Sequence, residues 1–402
     1  MSERVAITGI GVVSPIGNNR TETWENCKKG VCGIAPISEN YLPDAPIALA
    51  GEVKNLDMES ILGKREVKYS SRFTCFARIA AKEAYEDSKL GECEFDRDSM
   101  GVMISSSIGG ETLETAIKTD QIGPYFITAS GLHSATSSVA IDLDAHGCNM
   151  ATVSACAGGA NAIGEAYHKI KYGLENIIVC GGAESALNLS TIKGFCAMRA
   201  MYTGGDVNKA SIPFDEERKG FVPAEGAAIL ILENMDHALK RGAHIYAEIV
   251  GYGCTCDAYH PTAPREDGKY AGLAMTKAMK EAGISPKDID YINAHGTGTK
   301  LNDYSECAAI KNAFGEDYLS PYVSSTKSLT GHLLSAGGAL EAIICALSLE
   351  EGFIPPTINI ENQDAKCDIN LVKNEGIKKD ITYAMSNSFG FGGTDTVLIL
   401  RK

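Results

Sequence analysis

Val153-Ser154-Ala155-Cys156-Ala157-Gly158-Gly159 places a cysteine where a strand meets a helix. The run Met150–Ser154 before it reads as a strand, and Ala157–Tyr172 after it reads as a helix that opens on small residues. A cysteine at that junction lies at a helix N-terminus, which favours a thiolate and lowers the thiol pKa. The glycines let a ligand approach backbone N–H groups that can hold an oxyanion. Cys156 is therefore a candidate nucleophile, against the plainer reading of a buried structural cysteine.

Outward from this junction, apolar strand-like runs alternate with amphipathic helical runs. Strands are expected at Val5–Val13, Met100–Ser105, Asn176–Cys180, Ala227–Leu232, Tyr246–Gly251, Ile289–Ala294 and Tyr322–Ser325. A last hairpin-like pair lies near Ile381–Met385 and Thr396–Leu400. Helices are expected at Arg72–Asp87, Tyr270–Ala282, Tyr304–Phe314 and Ser335–Glu350. The alternation predicts an α/β architecture with mixed, largely buried sheets. Ala336-Gly337-Gly338-Ala339 repeats the small-residue start Ala157-Gly158-Gly159-Ala160, a sign of duplication. The boundary near Val250–Gly253 gives halves 1–250 and 251–402.

The 402 residues carry 37 basic and 51 acidic side chains, a net charge of −14. That balance argues against nucleic acid, whose phosphates need a basic face, and against an anionic membrane surface. No apolar run approaches the roughly 18 residues of a spanning helix. Met1-Ser2-Glu3-Arg4 leads straight into a strand-like run, without the features of an export signal. A cytoplasmic location is expected, with the 13 cysteines as free thiols. Cys254 and Cys256 come closest to a metal-ligand pair, but buried small residues are the simpler reading.

Four further segments bear on chemistry. Gly9-Ile10-Gly11 follows a strand but lacks the third glycine of a dinucleotide fingerprint, so a tight turn is expected there. Asn293-Ala294-His295-Gly296-Thr297-Gly298-Thr299 puts a histidine at a strand end. Ser324-Ser325-Thr326-Lys327-Ser328-Leu329-Thr330-Gly331-His332 puts a lysine and a second histidine in another strand-to-helix loop. Ser386–Thr394 reads as a glycine-rich loop whose Phe389 and Phe391 make it a backbone-donor loop with an aromatic lid.

In this order, the segments resemble the β-ketoacyl-acyl-carrier-protein synthases, the elongating condensing enzymes of the thiolase superfamily. Pro213-Phe214-Asp215, Gly220-Phe221-Val222, Asp257-Ala258-Tyr259-His260 and Pro355-Pro356-Thr357-Ile358-Asn359 extend the likeness over the whole chain. The resemblance implies a thiolase-like fold, two duplicated halves in a layered α-β-α-β-α sandwich. It implies decarboxylative condensation of malonyl-carrier with an acyl group held on Cys156, with no cofactor. His295 and His332 match the pair that acts on the malonyl group, Lys327 the lysine beside them, and Glu306 the acidic partner of that lysine. Phe391 matches the mobile gate; its N–H and that of Cys156 would form the oxyanion hole. Thr297 and Thr299 fall where the family grips the pantetheine arm. Ile108, Phe126 and Phe195 fall where it lines the acyl pocket, beside Phe389. Asn293, Glu341, Ser386 and Asn387 resemble a structural monovalent-cation site.

The implied partner is an acidic acyl carrier protein (ACP), with Arg65, Lys68, Arg72 and Arg199 as docking candidates. A homodimer is expected, and a heterodimer with a chain-length subunit is the alternative. Departures also stand out. Gly109–Tyr125 is shorter than in fatty-acid members, with Thr119-Asp120-Gln121 near where adjacent basic residues are usual. Gly298 replaces a frequent Ser, and Asp395 replaces a more usual Asn. Gly298-Thr299-Lys300-Leu301-Asn302-Asp303 looks more like type II polyketide ketosynthases, so that pathway stands beside fatty-acid synthesis. A CoA-dependent thiolase fits less well, because Cys367, the last cysteine, lies outside the Phe389–Gly393 segment. A chain-length subunit would lack the nucleophile, and a carrier-binding scaffold would leave Cys156 unacylated.

Overall fold

The computed structural model describes residues 2–38, 42, 44–109 and 122–402. The departure at Thr119-Asp120-Gln121 therefore lies outside the described residues. Ten strands form one mixed sheet. In chain order they are β1 (Val5–Val13), β2 (Met100–Ser105), β3 (Asn149–Met150), β4 (Ile177–Glu184) and β5 (Gly226–Asn234). The second set is β6 (Ala247–Cys256), β7 (Tyr291–Asn293), β8 (Tyr322–Ser324), β9 (Tyr383–Gly390) and β10 (Thr394–Arg401).

Across the sheet the order is β8-β7-β9-β10-β6-β1-β5-β4-β2-β3. Reading outward from the centre, each set of five places its first strand, then its fifth, fourth, second and third. The directions also repeat: antiparallel, antiparallel, parallel, parallel. The two sets meet where Val5–Ile7 of β1 pairs with Ala247–Ile249 of β6. Residue 250 falls inside β6, which runs on against β10.

The strands are buried on both faces, so their sequences are near-continuous apolar runs. Helix α1 (Arg72–Ser88) covers the outer face of the first set, and α4 (Lys269–Ala282) covers the second. Between the sets lie α2 (Gly158–Lys171) and α6 (Gly337–Glu351). Helix α2 packs on β4 and β10, and α6 on β5 and β9, so each central helix touches both halves. The result is the five-layer α-β-α-β-α arrangement that the family resemblance implied.

Close packing explains the glycines. A Cβ on Gly11 would lie 1.9 Å from the Ala80 carbonyl oxygen in α1. A Cβ on Gly253 would lie 2.0 Å from the Ala274 carbonyl oxygen in α4. Gly9-Ile10-Gly11 is therefore strand, not the expected turn: its missing side chains admit a helix, as do those of Gly251 and Gly253 in β6. The central helices cross on small residues in the same way. A Cβ on Gly159 would sit 2.5 Å from the Ser335 carbonyl oxygen, and one on Gly338 would sit 3.0 Å from Ala160 Cβ.

Two local expectations shift. The strand expected over Met150–Ser154 stops at Met150, because side chains take over from the ladder. Ser105 Oγ donates to the Thr152 carbonyl (2.7 Å), and Asn161 Nδ2 donates to Ser154 Oγ (2.7 Å). Ser386–Gly390 is strand rather than loop, paired with β10 through Gly390–Thr394. The turn is residues 391–393, where Gly392 and Gly393 hold φ of +88° and +82°. No helix among the described residues is long and apolar enough to cross a membrane.

Replacing Gly253 with Val should lower the free energy of unfolding by about 1–3 kcal/mol or more, since the strand cannot move away from α4. Gly205→Ala, where a Cβ meets nothing within 4 Å, is the matched control. Urea unfolding midpoints check this; equal midpoints for the two variants would refute the close-packing account.

Candidate active site

Cys156 sits in a single 3-10 turn, Ala155–Ala157, that opens into α2. Ala155 holds φ +47°, a strained value for a residue with a side chain. The strain turns the chain sharply and leaves the Cys156 side chain half-buried at a cavity wall. Ser107 Oγ donates to the Ala155 carbonyl (3.0 Å) and pins the turn. The backbone N–H groups of Phe391 and of Cys156 itself both bear on the sulfur. Gly390 makes that approach possible: a Cβ there would lie 2.8 Å from the Ser154 carbonyl oxygen and 3.4 Å from Cys156 N.

The expected lowering of the thiol pKa is reversed. Withdrawal from bulk water into the protein outweighs the helix terminus, the two N–H groups and the charge of Lys327, and pushes the thiol up to about 12. The sulfur rests as a neutral thiol facing the cavity.

His295 and His332 come from separate loops and meet with ring centroids 5.4 Å apart, nearly perpendicular. Burial first, and then the positive charge of Lys327, hold both imidazoles well below the ordinary histidine range. Lys327 Nζ lies 3.4 Å from His295 Nδ1. An ammonium has donors alone, so Nδ1 accepts and His295 carries its proton on Nε2. His332 is fixed by its N–H to the Val222 carbonyl (2.7 Å) and lies at the start of α6, where the helix dipole also disfavours an imidazolium.

Glu306 does not pair with Lys327. Its carboxylate accepts from the N–H groups of His295 and Gly296 (2.8 Å each) and from Asn387 Nδ2 (3.0 Å). It therefore fastens the His295 loop to α5 (Lys300–Phe314), on which it lies, and to β9. Lys327 pairs instead with Glu341 of α6, a fully buried ion pair. The signal was in the sequence: Glu341 is a lone acid in the otherwise apolar run Ala339–Leu347.

Glu341 also belonged to the expected cation site. Glu341 Oε2, Ser386 Oγ and Asn387 Oδ1 are buried without a hydrogen-bond partner, an oxygen set suited to a hard cation. The residues present fit such an ion. Asn293, the fourth member, lies 3.4 Å from Thr326 Oγ1 through Nδ2.

Cys156, His295 and His332 open on one cavity of about 500 Å³. Phe195, Phe389, Phe391, Thr297 and Thr299 line it as expected, and Thr297 and Thr299 share a 3.0 Å hydroxyl contact. Phe221, which the sequence marked as a motif but not as a site residue, links the parts. Its ring stands edge-on to Phe195 (5.3 Å) and to His332 (5.4 Å), and Phe195 on α3 (Leu189–Ala197) faces Phe391 at 6.3 Å.

Other expected residues lie elsewhere. Ile108 does not reach the cavity wall: its N–H donates to buried Glu184 (3.1 Å) and its side chain is exposed. Phe126 opens the short surface helix Phe126–Ser130, away from the cavity. Arg72 is not a free docking cation, because its guanidinium makes bonds of 2.9 and 2.6 Å to buried Glu225. Arg65 and Lys68 are exposed on the helix Lys64–Tyr69. Arg199 lies at the cavity, together with Lys219 and Lys300, which sequence reading had not singled out.

Residues 2–238 match the family model "Beta-ketoacyl synthase, N-terminal domain", and residues 246–361 match "Beta-ketoacyl synthase, C-terminal domain". A 3-oxoacyl-acyl-carrier-protein synthase 2 of Staphylococcus aureus (strain COL) is 48% identical over 408 aligned residues, covering 100% of this chain and 99% of that protein. A type II polyketide ketosynthase solved with its acyl-carrier protein is 33% identical, with a TM-score of 0.91 over 100% and 99% of the two chains. The ishigamide ketosynthase/chain length factor is 32% identical, with a TM-score of 0.93 over 100% of both chains.

Glu341→Ala would strand the buried Lys327 ammonium. Unfolding free energy should fall by about 3–5 kcal/mol, the usual cost of breaking a buried pair from one side. An unchanged urea midpoint would mean that Lys327 draws its compensation from elsewhere.

Proposed function

The chain belongs to the β-ketoacyl synthase family, and from that membership we propose how its residues divide the work of a 3-oxoacyl-acyl-carrier-protein synthase. The observation that carries the division is the convergence of Cys156, His295 and His332 on one cavity, with two backbone N–H groups at the sulfur. First, the sulfur attacks the carbonyl carbon of an acyl-ACP thioester. The bond to the carrier breaks, and the carrier leaves as a thiol with the proton Cys156 gave up. The N–H groups of Cys156 and Phe391 hold the oxyanion.

Malonyl-ACP then enters. Neutral His295 and His332 donate hydrogen bonds to the malonyl thioester oxygen as the bond to the carboxylate breaks and carbon dioxide leaves. The enolate carbon attacks the acyl carbonyl on Cys156, the carbon–sulfur bond breaks, and the departing thiolate takes a proton from solvent. The product is a 3-oxoacyl-ACP two carbons longer. Lys327, balanced by Glu341, keeps both imidazoles neutral and orients His295. A monovalent cation held by Asn293, Glu341, Ser386 and Asn387 would supply fixed positive charge beneath this pair.

The partner is an acidic carrier, which the cavity cations Arg199, Lys219 and Lys300 and the exposed Arg65 and Lys68 support. The working unit is a homodimer joined through β3. That strand is a sheet edge, and Met150, Val153, Ile141 (80% exposed) and Ile127 (75% exposed) present apolar surface around it. Ile108 and Phe126 then serve a pocket completed across that face. A heterodimer with a chain-length subunit is the second reading, favoured by the run Gly298–Asp303; the 48% identity to an elongating synthase weighs for the first. Thirteen free cysteines fit a reducing cytoplasm.

Intact mass of enzyme incubated with acyl-ACP should show one acyl group, absent in Cys156→Ala. Cys156→Gln should release carbon dioxide from malonyl-ACP without condensing it. His332→Ala should slow condensation about 10²–10⁴-fold while sparing acylation. Equal losses in both half-reactions would remove His332 from malonyl activation.

A further inference from the structure

Two carboxyl groups at the cavity have no part in this chemistry. Asp257 directly follows β6, and Asp395 is the second residue of β10. They are 5% and 4% exposed. Both adjoin the turn 391–393 that carries Phe391. The Asp257 N–H donates to the Gly393 carbonyl (2.8 Å), and a Cβ on Gly393 would lie 2.8 Å from Asp257 Cβ. Asp257 Oδ2 accepts from the Arg265 N–H (2.9 Å).

Asp395 has no comparable donor. Its registered partner across the sheet is Thr255, whose Oγ1 lies 3.5 Å from Asp395 Oδ2. Yet the single Thr255 hydroxyl proton goes to the Tyr270 carbonyl at 2.7 Å. Thr255 can therefore accept from Asp395 but not donate to it. A buried carboxylate without a donor, beside a second carboxylate, is the costly form; a neutral carboxyl supplies the missing proton.

We propose that Asp395 is a positioning residue, held as a neutral carboxylic acid, whose proton ties the Phe391 turn to β6 and whose ionisation loosens it. This rests on the roles assigned to Cys156 and Phe391. Burial first, then the charge of Asp257, push Asp395 up to about 8. Around the pair stand Thr255 and Cys256 of β6, the Arg265 N–H, Phe389 of β9 and, along the same cavity wall, His260. Arg265 is turned to Asp267 (2.7 Å). Because the folded value lies above the ordinary carboxyl value, the unfolded chain releases this proton first. Folded-state stability from this group is therefore lost as pH climbs from the ordinary carboxylate range to about 8.

The infrared difference between full-length wild type and Asp395→Asn should show a protonated-carboxyl band at pH 6.5 that is gone at about pH 9.5. The ratio of wild-type to Asp395→Asn condensation rate should fall about tenfold between pH 7 and 9, the change in protonated fraction about a pKa near 8. The ratio cancels the titration of Cys156. Asp257→Asn, which removes the repelling charge, should move the band's midpoint to lower pH. A missing band, a flat ratio or an unmoved midpoint would each overturn the proposal. The band needs no turnover, and acylation of Cys156 measured by mass in the same samples reports separately on the assigned chemistry.

Discussion

The crossing of α2 and α6 on small residues is the constraint on which the site depends. Ser335 Oγ donates to Ser105 Oγ (2.7 Å), and a Cβ on Gly158 would strike both hydroxyls. With both helices pressed together at their N-termini, the Cys156 turn and the His332 loop are delivered to the same place from halves distant in sequence. Larger residues at Gly158, Gly159 or Gly338 would part the helices, and the thiol would lose its histidines before the fold lost its sheet.

Duplication makes the crossing symmetric and the chemistry unequal. Ala155-Cys156-Ala157-Gly158-Gly159 and Leu334-Ser335-Ala336-Gly337-Gly338 each form a 3-10 turn ahead of a helix. Each turn opens on a strained residue, Ala155 at φ +47° and Leu334 at φ +48°. Ser335 thus occupies the place in the second half that Cys156 holds in the first. Its side chain is fully buried in the helix crossing, whereas Cys156 faces the cavity. One copy of the turn presents its side chain to the cavity, and the other is a structural clasp.

The sequence was legible where one physical demand dominates. The hydrophobic pattern revealed β1, β2 and α4 within a residue or two, because the strands are continuous apolar runs and the helix buries one face. The glycine pattern Gly9-Ile10-Gly11 misled, although it lies inside β1, since a missing side chain that admits a helix and one that permits a turn look alike in sequence. Sequence reading failed at Glu306 for a related reason. Both Glu306 and Glu341 are buried acids near Lys327, and the choice between a backbone clamp and an ion pair is made by how α5 and α6 approach the lysine. Arg72 was misread because its partner, Glu225, lies far along the chain, next to β5.

Charge placement separates the two half-reactions. A thiol pushed up to about 12 and two imidazoles kept neutral mean that the resting cavity exposes no strong base. A thiolate–imidazolium pair would make Cys156 reactive toward any electrophile, but the imidazolium would lose the neutral-donor role needed for an enolate. Lys327 prevents this by disfavouring a second positive charge nearby, and Glu341 makes the buried ammonium tolerable. The sulfur must then gain its reactivity from the substrate, whose oxyanion meets the two N–H groups that also touch the sulfur. Since one of those N–H groups belongs to Phe391, the turn 391–393 and the Cys156 turn together frame the sulfur.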